Sequence, residues 1–238
     1  MMKAFIFNSG KGSRLGELTA HQPKALVSLG NGETLLSRQL RLLGEAGIYE
    51  VVISVGYLGN MIREAVKPFE AQGFQFTFVD NPHYATSNAI VSMALARDAL
   101  VGDDYLVLHG DLVFGEAWLE RLLSAPVANA VATDATTPLN EKDFKACVQD
   151  GRIVTIAVDV FGEDCVNLMP FYKLSSEAMT VWLDAVESFI ARGETNVYAE
   201  NAANTVMASL DLHALSYADM VMVEVDTPED LKLAQTLI

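Results

Sequence analysis

A short apolar run that stops at a glycine-rich, basic loop limits this chain more than any other stretch. Residues 3–7, Lys-Ala-Phe-Ile-Phe, read as a buried strand, and Asn8-Ser9-Gly10 halts it. Gly10-Lys11-Gly12-Ser13-Arg14-Leu15-Gly16 follows at once, and Gln22-Pro23-Lys24-Ala25-Leu26 comes soon after. Glycines lack Cβ, so backbone N–H groups can approach an anion closely and line a nest. Arg14 can fork onto phosphate oxygens, and Lys24 can serve as a point charge. No Gly-Lys-Ser/Thr closes the loop as in a P-loop, and its third glycine is displaced from the dinucleotide fingerprint. A flexible basic surface loop would have the same composition, so the loop alone leaves both readings open.

The basic cluster stands out because the chain is acidic, with a formal net charge of −15. Such a surface repels nucleic acid and anionic membrane. The 238 residues, 51% hydrophobic and 20% charged, suit one α/β domain with a large core. No apolar run approaches the roughly 20 residues of a membrane span. Cys147 and Cys165 are too few for a disulfide framework, and no signal peptide precedes the first strand, so a cytoplasmic location is the default.

Strand and helix patterns alternate along the first half. Thr34 can cap a helix over residues 35–46, and the β-branched residues 50–55 read as a second parallel strand reached by a right-handed crossover. Gly56 and Tyr57 follow that strand, at the end where open α/β sheets bind ligands; Tyr57 reads equally well as a helix-start packing residue. Residues 75–79 alternate as a third strand, and Thr86-Ser87-Asn88 precedes a helix over 89–99. Capping needs only one of those three, which leaves two for a ligand. Residues 105–111 form the most apolar strand and end on Asp111, a position suited to Mg²⁺ or to capping the next helix. His109 reads as a packing or hydrogen-bonding residue. A hairpin with an Asp150-Gly151 turn follows. The last strand, residues 220–226, ends on Asp226, and Thr227-Pro228 starts the final helix.

The string Asn8-Ser-Gly-Lys-Gly-Ser-Arg-Leu, then Leu18-Thr19, then Pro23-Lys24-Ala-Leu, resembles the signature of nucleotidyltransferases, which join a nucleoside triphosphate to a phosphorylated sugar or alcohol and release pyrophosphate. Two departures are visible: Asn8-Ser9 replaces the usual Ala-Ala, and Glu17 replaces a proline. Asn81-Pro-x-Tyr-x-Thr-Ser-Asn-x-Ile-x-Ser looks like a segment of the branch that handles phosphocholine and related phosphorylated alcohols. Glu224-Val-Asp-Thr-Pro-Glu-Asp-Leu resembles the family's closing motif. The Glu-Lys-Pro of sugar-specific members is missing, since Val158-Asp159-Val160 stands there.

The resemblance implies a single domain over 1–238 with a Rossmann-like, three-layer α/β sandwich and a mainly parallel mixed sheet. Residues 1 to about 125 would form the nucleotide half and the rest, to 238, the acceptor half, in which a strand over 167–175 would lead into a helix over 176–192. Arg14 and Lys24 would be catalytic. Asn8, Ser9, Gly10, Gly12, Ser13, Gly56, Tyr57, Ser87, Asn88 and Asp111 would bind nucleotide, and Asp111 and Asp226 would hold Mg²⁺. Lys145 is the nearest basic candidate for the acceptor phosphate. Tyr172, Tyr198 and Glu200 could cage a cationic acceptor or simply pack in the core. The expected activity is Mg²⁺-dependent transfer from CTP to a small phosphorylated alcohol such as phosphocholine. Hexose-1-phosphate uridylyl or thymidylyl transfer is one alternative, and a non-catalytic nucleotide-binding subunit is another. The expected partners are small-molecule substrates and at most a second copy of the chain in a homodimer, with no nucleic acid.

Overall fold

In the computed structural model, which describes residues 1–238, β1 (Met2–Asn8) runs straight into the glycine loop. α1 (Leu35–Glu45) starts at Thr34, whose hydroxyl accepts from the Ser37 amide while Ser37 Oγ accepts from the Thr34 amide. This reciprocal cap satisfies two amides that a helix start otherwise leaves unpaired. β2 (Glu50–Val55), α2 (Gly59–Glu70) and β3 (Gln75–Asp80) complete the first crossovers. α3 (Ala89–Leu95) breaks at Ala96 before α4 (Arg97–Leu100), so the helix expected over 89–99 is two pieces. β4 (Asp104–His109), β5 (Leu112–Phe114), α5 (Glu116–Ser124) and β6 (Ala130–Asp134) follow. Then come the hairpin β7 (Lys145–Gln149) and β8 (Arg152–Ala157), the long β9 (Cys165–Leu174), α6 (Ser176–Ala191), α7 (Ala199–Asn204) and α8 (Met207–Leu210). β10 (His213–Ser216), β11 (Met222–Glu224) and α9 (Pro228–Leu237) end the chain.

Nine strands form one sheet in the order β3-β2-β1-β4-β9-β6-β10-β8-β7. The sheet is parallel from β3 to β4. Beyond β4 the expectation of a mainly parallel sheet fails. β9 is antiparallel to β4, β6 and β7, the hairpin is antiparallel, and only β6 and β10 run parallel. The cause is connectivity: hairpin-like returns replace helical crossovers in this half. Helices cover both faces. α3, α6, α7 and α8 bury Ile90, Met93, Trp182, Ala202 and Leu210 on one, and α1, α2 and α5 bury Leu40, Ile62 and Trp118 on the other. Burying an aromatic of this size is worth roughly 2–3 kcal/mol.

The chain passes from β1 to one side and returns on the other in β4, which opens a crevice at their carboxyl ends, where such sheets bind ligands. β4 stops at His109, earlier than the sequence implied. The chain turns at Gly110, where only glycine fits: a Cβ would lie 1.7 Å from Asn8 Oδ1 and 2.8 Å from the Phe7 carbonyl. β5 then pairs antiparallel with β11 in a separate two-stranded ribbon, so the last strand does not join the main sheet. The Val225 amide donates to the Asp111 carbonyl at 3.0 Å, which carries Asp226 to the crevice. Leu231 and Ala234 of α9 pack with Val113 and Val223 of the ribbon. Cys147 and Cys165, facing residues of β7 and β9, are joined as a disulfide.

Candidate active site

A cavity of about 310 Å³ opens over the β1/β4 crevice. Its centre is ionic. The 3₁₀ turn Lys24–Leu26, entered through extended Pro23, aims the Lys24 ammonium between two carboxylates, 2.7 Å from Asp111 Oδ2 and 2.7 Å from Asp226 Oδ1. Arg14 Nη2 lies 2.8 Å from Asp226 Oδ2, and most of its side chain is exposed. Gly12 has φ 64°, and a Cβ there would meet Lys24 Cβ at 2.9 Å, so the loop can close over the lysine only with glycine. Burial works against the Lys24 charge, but Asp111 and Asp226 outweigh it and raise its pKa. Burial likewise works against ionised Asp111, and Lys24 and His109 outweigh it, so Asp111 is held below its ordinary range. Glu224 goes the other way: burial first, then Asp111 and Asp226, push its pKa well up.

The acids fit a divalent cation. Asp111 Oδ1 is buried without a protein partner. Ligand atoms of His109, Asp111 and Glu224 lie within 4.8 Å of one another, and Asp226 shares Lys24 with Asp111. A hard cation takes carboxylate oxygens of this kind. His109 also meets the Phe7 ring edge-on at 5.3 Å and stands 4.0 Å from Glu224, so the packing expected of it is only part of its setting. Glu224 was not among the expected site residues, although it lies two residues before Asp226 and so on the same side of an extended segment.

On the side toward β2 and β3 the wall is small and polar. Asn8, Ser9, Gly10, Gly12, Ser87 and Asn88 line it, as do Asn81, Tyr84 and Ser92, which were not among the expected residues. Asn8 Nδ2 is buried and has no protein partner. Asn88 caps α3, accepting from the Ala89 amide at 2.7 Å, while Ser87 Oγ donates to the His83 carbonyl at 2.8 Å. Thr86 bonds the same carbonyl and stays out of the wall. Ser13, Gly56 and Tyr57 also stand outside it. Gly56 is a close approach: a Cβ would meet the Ser9 carbonyl at 2.6 Å and Tyr84 Cβ at 2.7 Å. The Tyr57 amide donates to that same carbonyl, and its hydroxyl donates to Ala20 O at 2.7 Å, so it braces the loop from behind.

The opposite end is lined by Lys142, Asp143, Phe144, Val158 and Tyr198. Phe144 and Tyr198 meet edge-on with centroids 4.8 Å apart. Asp143 is pushed up by burial and by nearby Asp226 and Asp230. Lys145 does not reach this wall. It is fully buried, and its ammonium donates to the Asn140 carbonyl at 2.6 Å and the Asp143 carbonyl at 2.9 Å. Tyr172 and Glu200 lie in the core beneath, where the tyrosine hydroxyl donates to Glu200 Oε1 at 2.9 Å. The four acceptor-side candidates therefore separate: Tyr198 lines the cavity, and Lys145, Tyr172 and Glu200 support it from within.

Residues 4–168 match the model of the MobA-like NTP transferase domain. A CMP-5'-(3-aminopropyl)phosphonate synthase of Streptomyces rubellomurinus is 41% identical over 138 residues, covering 58% of this chain and 21% of that protein. The choline-phosphate cytidylyltransferase of Streptococcus pneumoniae is 26% identical over 238 residues, covering 100% of this chain and 98% of that one. This chain thus spans about a fifth of the first relative and nearly all of the second. The solved CTP:phosphocholine cytidylyltransferase from Streptococcus pneumoniae superposes with a TM-score of 0.79 at 22% identity, covering 100% of this chain and 99% of that one. The inositol-1-phosphate CTP transferase from T. maritima also gives 0.79, at 18% identity, covering 100% and 95%. The matched segment begins in β1, contains Arg14, Lys24 and Asp111, and takes in more than half of the chain, so the chain belongs to the MobA-like NTP transferase domain family.

Proposed function

We propose that this chain is a nucleotidyltransferase, and specifically a cytidylyltransferase that transfers CMP from CTP to a small phosphorylated alcohol or its phosphonate counterpart, of the kind represented by phosphocholine. The observation that carries this reading is one cavity with an ionic centre between two unlike ends. The choline-phosphate cytidylyltransferase and the CMP-5'-(3-aminopropyl)phosphonate synthase among its relatives support the nucleotide assignment. The acceptor end offers an aromatic pair and Asp143, which suit a cationic head group, beside Lys142, which suits its phosphate.

The acceptor phosphate oxygen attacks the α-phosphorus in line. A new P–O–P bond forms, the α–β bridge breaks, and pyrophosphate leaves with the electron pair. No covalent enzyme intermediate is needed, so positioning and charge neutralisation do the work. Arg14 holds the β- and γ-phosphates. Lys24 bridges the α-phosphate and the acceptor, drawing two anions together. Asp111 and Asp226, with Glu224 beside them, would hold Mg²⁺, which supplies Lewis-acid stabilisation of the charge that builds on the α-phosphate oxygens.

The test is pyrophosphate release with Mg²⁺, crossing CTP, UTP, ATP, GTP and dTTP against phosphocholine, 2-aminoethylphosphonate, inositol phosphate and glucose 1-phosphate. Release with CTP and an alcohol phosphate or phosphonate is expected. Release confined to UTP or dTTP with glucose 1-phosphate would place the chain with the sugar transferases. Nucleotide binding without release for any acceptor would make it a non-catalytic subunit. Asp111→Asn, nearly isosteric, should cost at least about a hundredfold in kcat with an unchanged circular dichroism spectrum.

A further inference from the structure

Three buried polar side chains beneath the cavity form a directed relay. Asn81, Ser92 and Ser9 are 2%, 2% and 7% exposed. They come from the ends of β3 and β1 and from the middle of α3, and all three line the cavity. Asn81 Oδ1 accepts from the His83 amide at 2.9 Å, which fixes its amide nitrogen as the donor end. That nitrogen donates to Ser92 Oγ at 3.0 Å, and Ser92 donates to Ser9 Oγ at 3.1 Å. A serine hydroxyl has one proton to give. Ser92 gives its proton to Ser9, and Ser9 gives its own to no protein group, so the relay ends as a donor facing the cavity.

The topology says what meets it. Phosphates belong at the ionic centre, where Arg14 and Lys24 stand. In the reading proposed above the acceptor lies toward β7 and β8, which leaves the nucleoside the end toward β2 and β3, where Ser9 and Asn81 line the cavity. We propose that the Asn81–Ser92–Ser9 relay is the base-selecting element of this site. It presents the Ser9 hydroxyl as a fixed donor to cytosine N3, an acceptor, and against uracil N3–H, a donor. Two opposed donors leave a buried pair unmade, which is the strongest discrimination a small polar site can exert. The inference rests on the cytidylyltransferase reading of the same cavity.

The test compares CTP with UTP in the parent, Ser9→Ala, Ser92→Ala and Asn81→Asp, each as kcat/KM and as the Kd of the nucleotide alone. Ser9→Ala removes the donor and should lower the CTP:UTP preference about five- to tenfold. Ser92→Ala frees the Ser9 hydroxyl to turn and should lower it less. Asn81→Asp keeps the acceptor for the His83 amide but cannot donate onward. Ser92 must then donate to the carboxylate and Ser9 to Ser92, which turns Ser9 into an acceptor and moves the preference further toward UTP than Ser9→Ala does. Preferences within twofold of the parent in both serine variants would overturn the relay. Those two variants only delete hydroxyls, so they decide the matter even where Asn81→Asp fails to fold. Because Kd is read without turnover, absence of pyrophosphate release would overturn the transferase reading while binding still decides the relay.

Discussion

Glu224 shares its surroundings with Asp111 and Asp226, and three carboxylates so close cannot all ionise freely. Burial, then Asp111, then Asp226 raise its pKa well above the ordinary glutamate value. A raised folded pKa means that the native state holds a proton the unfolded chain would release. The stability Glu224 contributes is therefore complete below its unfolded pKa and is lost as pH rises through the folded one. Asp111, held low, contributes the opposite way, with stability lost only in acid. The melting temperature without metal should fall as pH rises from about 5 through neutrality, and Glu224→Gln should flatten that slope. A parallel slope in the variant would show that Glu224 is not the group responsible. Arg14, Lys24, Asp111 and Asp226, which the structure brings together, each sit in a sequence motif that marks them out. Glu224 was not legible in the sequence, because its meaning depends on two acids brought near from elsewhere in the chain and on its own burial. Lys145 misled for the complementary reason: main-chain carbonyls that satisfy an ammonium leave no trace in a list of side chains.

Among the elements, those with strong periodicity were read well. α1 and α6 match the helices expected over 35–46 and 176–192, and β1, β2 and β3 match the expected strands. β5, three residues long, lies beyond the strand expected over 105–111, since three apolar residues are too few to show a period. β10 is four residues with no alternation of burial, so period-two patterning had nothing to detect. Long-range pairing also decided the cysteines. Two of them 18 residues apart say little until β7 and β9 place them face to face. By loop-entropy reasoning a crosslink of that span contributes about 3 kcal/mol. Reduction should therefore lower the melting temperature by roughly 6–12 °C, while a Cys147→Ser/Cys165→Ser variant should not respond to reductant. Two thiols titrating in the native, unreduced protein would sink this expectation.

At the scale of the whole molecule, the two halves share one sheet. β9 from the second half lies between β4 and β6 and is antiparallel to both. The core on one face joins Phe5, Ile90 and Tyr105 of the first half to Tyr172, Trp182 and Leu210 of the second. The crevice itself is composite, since Asp226 reaches it only through the ribbon of β5 with β11. A chain cut near residue 125 would leave the inner edge of β4 unpaired and strip one face of the parallel sheet of α6 and α7. Buried β4, apolar on both faces, would then meet water along a row of open N–H and C=O groups. The nucleotide half should not fold alone. Calorimetry of the full chain should give one transition with equal calorimetric and van't Hoff enthalpies. Two resolved transitions, or a stable fragment 1–125 with dispersed amide resonances, would show that the halves are separate folding units. A single transition has a functional corollary. CTP bound mainly over the β1–β3 ends should raise the melting temperature of the whole molecule by mass action, and the acceptor-side strands should be lost in the same step as the nucleotide-side ones.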